Sequence, residues 1–438
     1  MKKTFSLLLC IALIAGLLAS CSGKKATDAS SAAQAEKVTF SWLINKVEIK
    51  NELEETAAAY MAKYPHVKII TEVAGGSVEP YATRLKAKLG SNDVPALFVI
   101  EGWAGMGMFD EYIGDVSTSP LIARCNPDIL SFATLNGKVR CLPMAIEGFG
   151  VIYNKTIFKK AGIDPASITS MDAMEAAAKK LTEKKAELGI DAAFCLPAKE
   201  KWIIGSQMGS AFMNGEFKTP LECFNAKTLQ WVNNQSYKRF LDMQVKYGIQ
   251  PQGNPKNVVN LAYADQIEKG LALGKVAMVH NGNWVSPIIR GINPEMLDNN
   301  EIGFLPIPVP GYREDCIRVA GVPLIAINAK LDDKTKAAAM AFFEWLYTSD
   351  EGKNLVVNKL GMIPPYTGFE NFEIKDPLAK DLLDYMSKGK TMPTLTNFMP
   401  NGFKNYIAEK AQEYLTGKSW DEIVKETKAK WAELSAAQ

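Results

Sequence analysis

Acidic, amide, cationic and aromatic side chains follow two apolar segments of this sequence and could together bind a polar ligand. Asn45 and Lys46 stand at the end of one apolar segment, and Glu101 and Trp103 come directly after another. Carboxylates and amides exchange hydrogen bonds with hydroxyl groups, and an indole face packs against apolar C–H groups. The chemistry that this set of residues favours is noncovalent recognition.

Motifs for bond-breaking chemistry are sparse. The chain has only two histidines, His66 and His280, so a Ser-His or Cys-His pair has two candidate bases and a histidine-rich metal site has none. The sequence contains neither a Gly-x-Ser-x-Gly elbow nor a His-Glu-x-x-His motif. Paired carboxylates could still serve a glycosidase, so a lipid-anchored secreted hydrolase stays open as an alternative. We predict no metal and no cofactor.

The four residues named first require a scaffold of strands that end at a common edge. Segments 38–45, 67–73 and 96–100 have the composition of strands, and segments 53–64 and 79–89 alternate with them as helices. Strands separated by helices of this length predict right-handed βαβ units. In open sheets of this type a ligand lies beyond the carboxyl ends of the strands, which is where the four residues stand.

The first 37 residues predict export and membrane attachment. A positively charged start precedes an apolar run at 5–18, which is shorter than the roughly 20 residues that a spanning helix needs. The letters LASC at 18–21 are similar to the lipobox of bacterial lipoproteins. That resemblance implies removal of a signal peptide at 1–20 and acylation, palmitate included, of Cys21. Residues 21–37 are predicted to be a lipid-anchored flexible tether.

The charge composition limits the classes of partner that we expect for the chain after residue 20. The whole sequence has 50 basic and 48 acidic residues, and removal of Lys2 and Lys3 with the signal leaves the two signs equal. This balance, without any basic block, argues against nucleic acid as a partner, and we expect none. The length exceeds what one ordinary core fills and therefore predicts two domains.

Cysteine usage leaves two interpretations open. Five cysteines remain once Cys10 and Cys21 are set aside: Cys125, Cys141, Cys195, Cys223 and Cys316. Export permits disulfides, and Cys125 with Cys141 is the nearest pair in sequence. Five buried free thiols fit the sequence equally well.

Four blocks carry a resemblance to a known family. The most specific is residues 136–155, NGKVRCLPMAIEGFGVIYNK. The others follow in order along the chain: GKVAM at 274–278 with NGNW at 281–284, IGFLPIP at 302–308, and 337–346 with TSDEG at 348–352 and GMIP at 361–364. Together they span nearly the whole chain after Cys21. They resemble the family 1 extracellular solute-binding proteins, the maltose-binding-protein-like group that serves carbohydrate ABC importers.

The resemblance implies an α/β chain with the two-lobed type II periplasmic-binding-protein fold. Each lobe would be a mostly parallel sheet flanked by helices, and three crossings would join the lobes near 145–148, 300–305 and 347–351. The implied boundaries are 38–146 with 303–349 for the first lobe and 149–302 with 350–438 for the second. A ligand that touches both lobes would favour their closed arrangement. This mechanism needs no catalytic group, so we do not expect an enzyme.

The same resemblance adds candidate ligand contacts. Glu147 stands in the first crossing, Trp284 follows the strand of the GKVAM block, and Trp202 precedes a helical stretch at 203–212. Where maltose-binding protein has a tryptophan after its Met-Pro turn, this chain has Phe398 and Phe403, so maltose itself is not expected. Each tryptophan could instead pack in the core, and Glu147 could instead make a hydrogen bond within the hinge. The predicted contacts are Asn45, Lys46, Glu101, Trp103, Glu147, Trp202, Trp284 and Phe403.

The implied ligand is a small carbohydrate, either a mono- or an oligosaccharide. The implied partners are the permease subunits of an ABC importer and, through Cys21, the outer side of the cytoplasmic membrane. We expect a monomer. Relatives of this fold also bind ferric iron, thiamine and polyamines, and two histidines argue against an iron site. Aromatic residues near Glu101 and Glu147 would suit a cationic amine as well as a sugar, so a polyamine or another non-sugar solute stays open.

Overall fold

The fold is described from a computed structural model, which covers residues 36–75, 81–91 and 93–437. The predicted signal peptide at 1–20, the acylation site Cys21 and all but the last residues of the predicted tether lie outside these ranges. The strands are β1 Val38–Ile44, β2 Val67–Val73, β3 Leu97–Ile100, β4 Thr134–Leu135, β5 Lys138–Val139, β6 Leu142–Pro143, β7 Ile146–Asn154, β8 Ala192–Phe194, β9 Val276–Gly282, β10 Ile302–Leu305, β11 Ile317–Gly321, β12 Leu324–Ile327 and β13 Thr391–Pro393.

Helices cover the faces of the sheets. They are α1 Lys50–Lys63, α2 Tyr81–Leu89, α3 Gly102–Met108, α4 Pro127–Ser131, α5 Lys155–Ala161, α6 Met171–Glu183, α7 Lys185–Leu188, α8 Pro220–Asn225, α9 Asn234–Lys246, α10 Tyr263–Gln266, α11 Ser286–Ile292, α12 Pro294–Asp298, α13 Asp333–Thr348, α14 Asp350–Asn354, α15 Pro377–Ser387, α16 Phe403–Thr416 and α17 Trp420–Ala436. Three further segments, Trp202–Gly209, Ile267–Leu271 and Leu355–Lys359, are π-helical. None of the helices in the described ranges is long and apolar enough to cross a bilayer.

The first sheet has the order β2-β1-β3-β12-β6, and with its helices we call it lobe 1. Strand β1 is parallel to both β2 and β3, as the predicted βαβ units require, whereas β12 is antiparallel to β3 and β6. All four residues of β3 are buried, because sheet neighbours and helices enclose it on both faces. The carboxyl ends of β1 and β3 therefore meet at one edge.

The second sheet has the order β13-β11-β7-β9-β8, with β10 also paired to β7, and with its helices we call it lobe 2. Strand β7 is antiparallel to β9, β10 and β11, and only the β8–β9 and β11–β13 pairs are parallel. The prediction of a mostly parallel sheet is wrong for this lobe. The chain enters this sheet along β7. It then runs in the opposite direction along β10 and β11, which both pair with β7.

The chain passes between the sheets close to one predicted position and away from two others. It leaves β6 at Pro143 and starts β7 at Ile146, which agrees with the first predicted crossing. Because β10 and β11 both pair with β7, the return passage lies between Gly321 and Leu324, not at 300–305.

The third passage is also later than predicted. Helix α13 packs on β1 and β12 of lobe 1, and the Tyr366 hydroxyl still donates to the Pro143 carbonyl at 2.6 Å. Helix α15, which starts at Pro377, packs on β10 of lobe 2. The passage therefore lies between Tyr366 and Pro377, whereas 347–351 stays with lobe 1.

A buried arginine holds together three segments of lobe 2. Arg318 on β11 has no exposed surface, and its guanidinium donates to the carbonyls of Ile307 at 3.1 Å, Cys316 at 3.3 Å and Ala211 at 3.2 Å. Its Nε also donates to Asn214 Oδ1 at 3.4 Å. Backbone carbonyls and one side-chain amide oxygen, and no carboxylate of the described chain, satisfy this cation.

His280 on β9 is buried near that arginine. Its ring lies between those of Phe149 and Phe240, with centroid distances of 5.8 and 6.1 Å. Burial, with a smaller effect of the Arg318 charge, lowers the pKa of His280 from 6.5 to about 3. The imidazole is therefore neutral inside lobe 2 at physiological pH.

We expect this imidazole to make the protein sensitive to mild acid. In the unfolded chain His280 takes up a proton near pH 6.5, whereas in the folded chain it does so only near pH 3. The unfolded state therefore binds more protons between these values, and about 2 kcal/mol of folding free energy is lost by pH 5. Denaturant unfolding at pH 7.5 and 5 measures this loss. His280→Leu should lose about 2 kcal/mol less over that interval, and an equal loss in both proteins would contradict the assignment.

The structure decides between the two interpretations of the cysteines. Cys125, Cys141, Cys195, Cys223 and Cys316 are all buried free thiols, so Cys125 and Cys141 are not paired. Burial raises the pKa of Cys125 and of Cys195 to about 12.

Candidate ligand-binding site

Three chain segments meet where lobe 1 passes into lobe 2. Lys46 follows β1, Glu147 is the second residue of β7, and Trp284 lies in the turn after β9. A small cavity of about 20 Å³ lies among them, with room for about one water molecule. Its lining is Lys46, Glu48, Ile49, Ala145, Ile146, Glu147, Asn283, Trp284, Pro287, Leu360, Gly361 and Met362. Three predicted contacts thus lie together, and a sugar ring fits only if the lining moves.

Lys46 is the centre of a buried charge cluster. Its ammonium donates to Glu147 and lies 3.3 Å from Glu48 Oε1 and 5.8 Å from the centre of the Trp284 ring. Burial lowers the pKa of Lys46, but the charges of Glu147 and Glu48 outweigh burial and raise it. Burial raises the pKa of Glu147, and Lys46 opposes this shift only in part. The cluster offers hydrogen-bond donors and acceptors to a polar ligand.

The Trp284 indole forms the aromatic side of the cavity. Its ring centroid lies 6.3 Å from that of Trp202 and 6.4 Å from that of Phe149. Gly282 leaves the space for it, because a Cβ there would stand 2.1 Å from Trp284 Cζ3. The indole N–H is buried and has no hydrogen-bond partner among the described residues. The ring thus presents both an apolar face and an unused donor.

Trp202 is held by residues that the sequence did not identify. Its indole N–H donates to Glu200 Oε2 at 3.1 Å, and its ring meets that of Tyr263 edge-on at 5.3 Å. Glu48, Glu200 and Tyr263 carried no motif. The only available signal was position, since Glu48 and Glu200 each stand two residues from a predicted contact.

Asn45 and Glu101 form a second polar group at the edge of lobe 1. Lys404 of α16 in lobe 2 contacts Glu101 Oε2 at 2.5 Å, so this ion pair joins the lobes. The Lys404 charge is the main cause that lowers the pKa of Glu101, and a hydrogen bond from Asn45 adds to it. The Asn45 side-chain oxygen is buried without a partner in the described chain. This group adjoins the Lys46 cluster through the Asn45–Lys46 peptide.

Trp103 lies at a contact between the lobes and does not line the cavity. Its indole N–H donates to the Phe132 carbonyl at 3.2 Å, and its ring meets Phe398 at 4.8 Å and Phe224 at 5.4 Å. Gly102 permits this approach, since it has φ +76° and its Cβ would stand 2.0 Å from the Asn397 carbonyl oxygen.

Phe403 does not reach the cavity either. It has no exposed surface and packs edge-on against Trp431 at 4.7 Å in the core of lobe 2. The sequence signal at this position, a phenylalanine after a Met-Pro turn, describes helix packing equally well, because α16 begins at this residue.

Comparisons with known proteins also indicate a solute-binding protein. The family model described as "Bacterial extracellular solute-binding protein" matches residues 55–381. An uncharacterised ABC transporter extracellular-binding protein of Pyrococcus horikoshii is 26% identical over 95% of this chain and 93% of its own length. The melibiose/raffinose/stachyose-binding protein MelE of Bacillus subtilis is 24% identical over 94% of this chain and 92% of its own.

A solved structure shares the fold. The solute-binding protein RafE in complex with raffinose superposes with a TM-score of 0.73 at 19% identity, over 91% of this chain and 100% of that one. This likeness confirms the predicted two-lobed α/β fold.

Proposed function

The chain belongs to the bacterial extracellular solute-binding proteins, and we propose that it captures a mono- or oligosaccharide between its lobes and delivers it to an ABC importer. The family predicted from the sequence blocks is confirmed. Relatives named for melibiose, raffinose and stachyose support a sugar as the solute. These names describe the relatives, so the assignment of a sugar to this chain depends on the residues of its own site.

The observation that carries the proposal is the pairing of an indole face with buried polar groups at the passage between lobes. Trp284 offers an apolar surface for the C–H face of a sugar ring, and Trp202 extends it. Glu147 and Lys46 offer an acceptor and a donor for ring hydroxyls within the same cavity. Asn45, Glu101 and Trp103 would act as outlying contacts or as the closing surface of the lobes.

The Lys46 ammonium within the cluster favours a neutral ligand over a polyamine. Two carboxylates and an indole face would form a cage for an ammonium group, and this cage already holds the Lys46 ammonium. A second cation would meet like charge at short range in a poorly solvated site. A sugar hydroxyl meets no such repulsion.

The same cluster argues for binding without turnover. Glu147 and Glu48 both contact Lys46, so neither is a free acid or base. We further propose export by the signal at 1–20, attachment through acylated Cys21, and action as a monomer that docks on permease subunits. The family is extracellular, which agrees with export.

Ligand binding is tested by thermal unfolding and calorimetry with a panel of sugars, polyamines and peptides. We expect a sugar, with melibiose, raffinose and stachyose tested first, to add about 2.7 kcal/mol of stability at a hundredfold excess over its Kd. A response to polyamines alone would overturn the sugar assignment. Release of new reducing ends from a bound oligosaccharide would overturn the assignment of binding without turnover.

A further inference from the structure

Glu200 is a buried carboxylate that fixes two aromatic residues from separate elements. It is 4% exposed, and its two oxygens accept from different donors. Oε2 accepts from the indole N–H of Trp202 at 3.1 Å, and Oε1 accepts from the backbone N–H of Tyr263 at 3.1 Å. The first donor opens the π-helical segment Trp202–Gly209, and the second opens α10. One side chain therefore sets the positions of both rings.

The Tyr263 hydroxyl is an unused polar group close to the cavity. It is buried and has no hydrogen-bond partner among the described residues. The Tyr263 ring meets that of Trp202 edge-on at 5.3 Å, and the Trp202 ring lies 6.3 Å from that of Trp284 in the cavity lining. After burial, the charges of Glu48 and Glu147 are the next causes that raise the pKa of Tyr263. A buried hydroxyl without a partner is costly, and a ligand hydroxyl would remove that cost.

We propose that Tyr263 determines specificity by hydrogen-bonding one ligand hydroxyl, and that Glu200 is the positioning residue that holds Tyr263 and Trp202 in place. The inference rests on the proposed function, because it requires a hydroxyl-bearing ligand in the cavity. It deepens that function by naming a second layer of the site, in which Trp202 and Tyr263 lie behind Trp284 of the cavity lining.

A purely structural role for Glu200 predicts a different result. A carboxylate that only joins two elements would affect stability when removed, and ligand affinity would be unchanged in the folded variant. A positioning role moves affinity and the environment of the Trp202 indole together. The glutamine variant separates the cases further, because its single carbonyl oxygen retains part of the acceptor capacity.

The first experiment uses Tyr263→Phe and a set of monodeoxy analogues of whichever panel sugar binds. We expect Tyr263→Phe to bind the parent sugar about tenfold more weakly, the value of one hydrogen bond. One deoxy analogue should bind the unmodified protein about tenfold more weakly than the parent and bind both proteins equally. Tyr112→Phe is the matched control, since Tyr112 packs under Lys330 and lines no part of the cavity.

The outcomes separate the two levels of inference. Undiminished affinity of Tyr263→Phe for a sugar that the unmodified protein binds would overturn this inference and leave the proposed function intact. Absence of binding to every sugar by the unmodified protein would overturn both.

The second experiment compares Glu200→Ala with Glu200→Gln by calorimetry and tryptophan emission. We expect Glu200→Ala to lose at least tenfold in affinity and to change the emission spectrum of the ligand-free protein. Glu200→Gln should stay within about threefold of the unmodified protein. A Glu200→Ala variant that is less stable but binds the sugar with unchanged affinity would show a structural role only and overturn the positioning assignment.

Discussion

Replacing Arg318 with methionine is expected to lower the free energy of unfolding by at least about 3 kcal/mol. The substitution keeps an unbranched apolar stem but removes every donor. The carbonyls of Cys316 and Ala211 and the side-chain oxygen of Asn214 would then lose their guanidinium donors, whereas the Ile307 carbonyl would still accept from the Val309 N–H. Each unsatisfied buried acceptor costs about 1 kcal/mol or more, so the losses add up across the three segments that Arg318 joins. Denaturant unfolding followed by circular dichroism measures the change.

Two further variants sharpen this test. Arg318→Lys keeps the charge but lacks the planar fork that reaches three carbonyls, so it should restore little of the stability. Arg84→Met is the matched control, because Arg84 is partly exposed and its ion pair with Glu72 is worth less than about 1 kcal/mol. Equal unfolding midpoints for Arg318→Met and Arg84→Met would show that the buried guanidinium contributes nothing.

Trp284→Ala is expected to weaken sugar binding by about 2–4 kcal/mol, roughly 30- to 1,000-fold. The variant loses the apolar face that a sugar ring would cover, and it leaves Trp202 and Phe149 without their central neighbour. Because the indole N–H has no partner within the described chain, its loss breaks no hydrogen bond of the fold. Calorimetry at one temperature gives the affinity, and far-ultraviolet circular dichroism verifies the fold.

A matched pair of conservative variants isolates the site from general effects. Trp284→Phe should reduce affinity several-fold, whereas Trp345→Phe, in the aromatic core of lobe 1, should leave affinity unchanged. If Trp284→Ala binds as the unmodified protein does, Trp284 belongs to the core of lobe 2 and the assignment of the cavity as the binding site is wrong.

The elements of lobe 1 were predictable because their signals are local. Strand β2 matches the predicted 67–73, and β1 and β3 differ from their predictions by one residue each. Apolar composition and the Pro65 helix end identify these elements without knowledge of distant partners. The pairing of β10 with β7 and the late return to lobe 1 depend on contacts between residues about 150 apart, which no local pattern records.

The site was predictable only in part, for a similar reason. Lys46, Glu147 and Trp284 stand at strand ends or in resembling blocks, and they meet at one cavity. Phe403 was misplaced because a phenylalanine at the start of a helix serves a core as well as a ligand. Glu200 and Tyr263 are brought together by one side chain reaching across 63 positions of sequence, so only the folded chain reveals them.

The burial of the cysteines makes this protein suited to site-directed labelling. Thiolates, not thiols, add to maleimide dyes, and Cys125 and Cys195 remain protonated at neutral pH. A cysteine introduced at exposed Ile70 in lobe 1 and another at exposed Leu221 in lobe 2 would therefore react before the buried native thiols of the described residues. A donor and acceptor fluorophore at these two positions would turn each capture and release into a change of energy transfer, readable one molecule at a time.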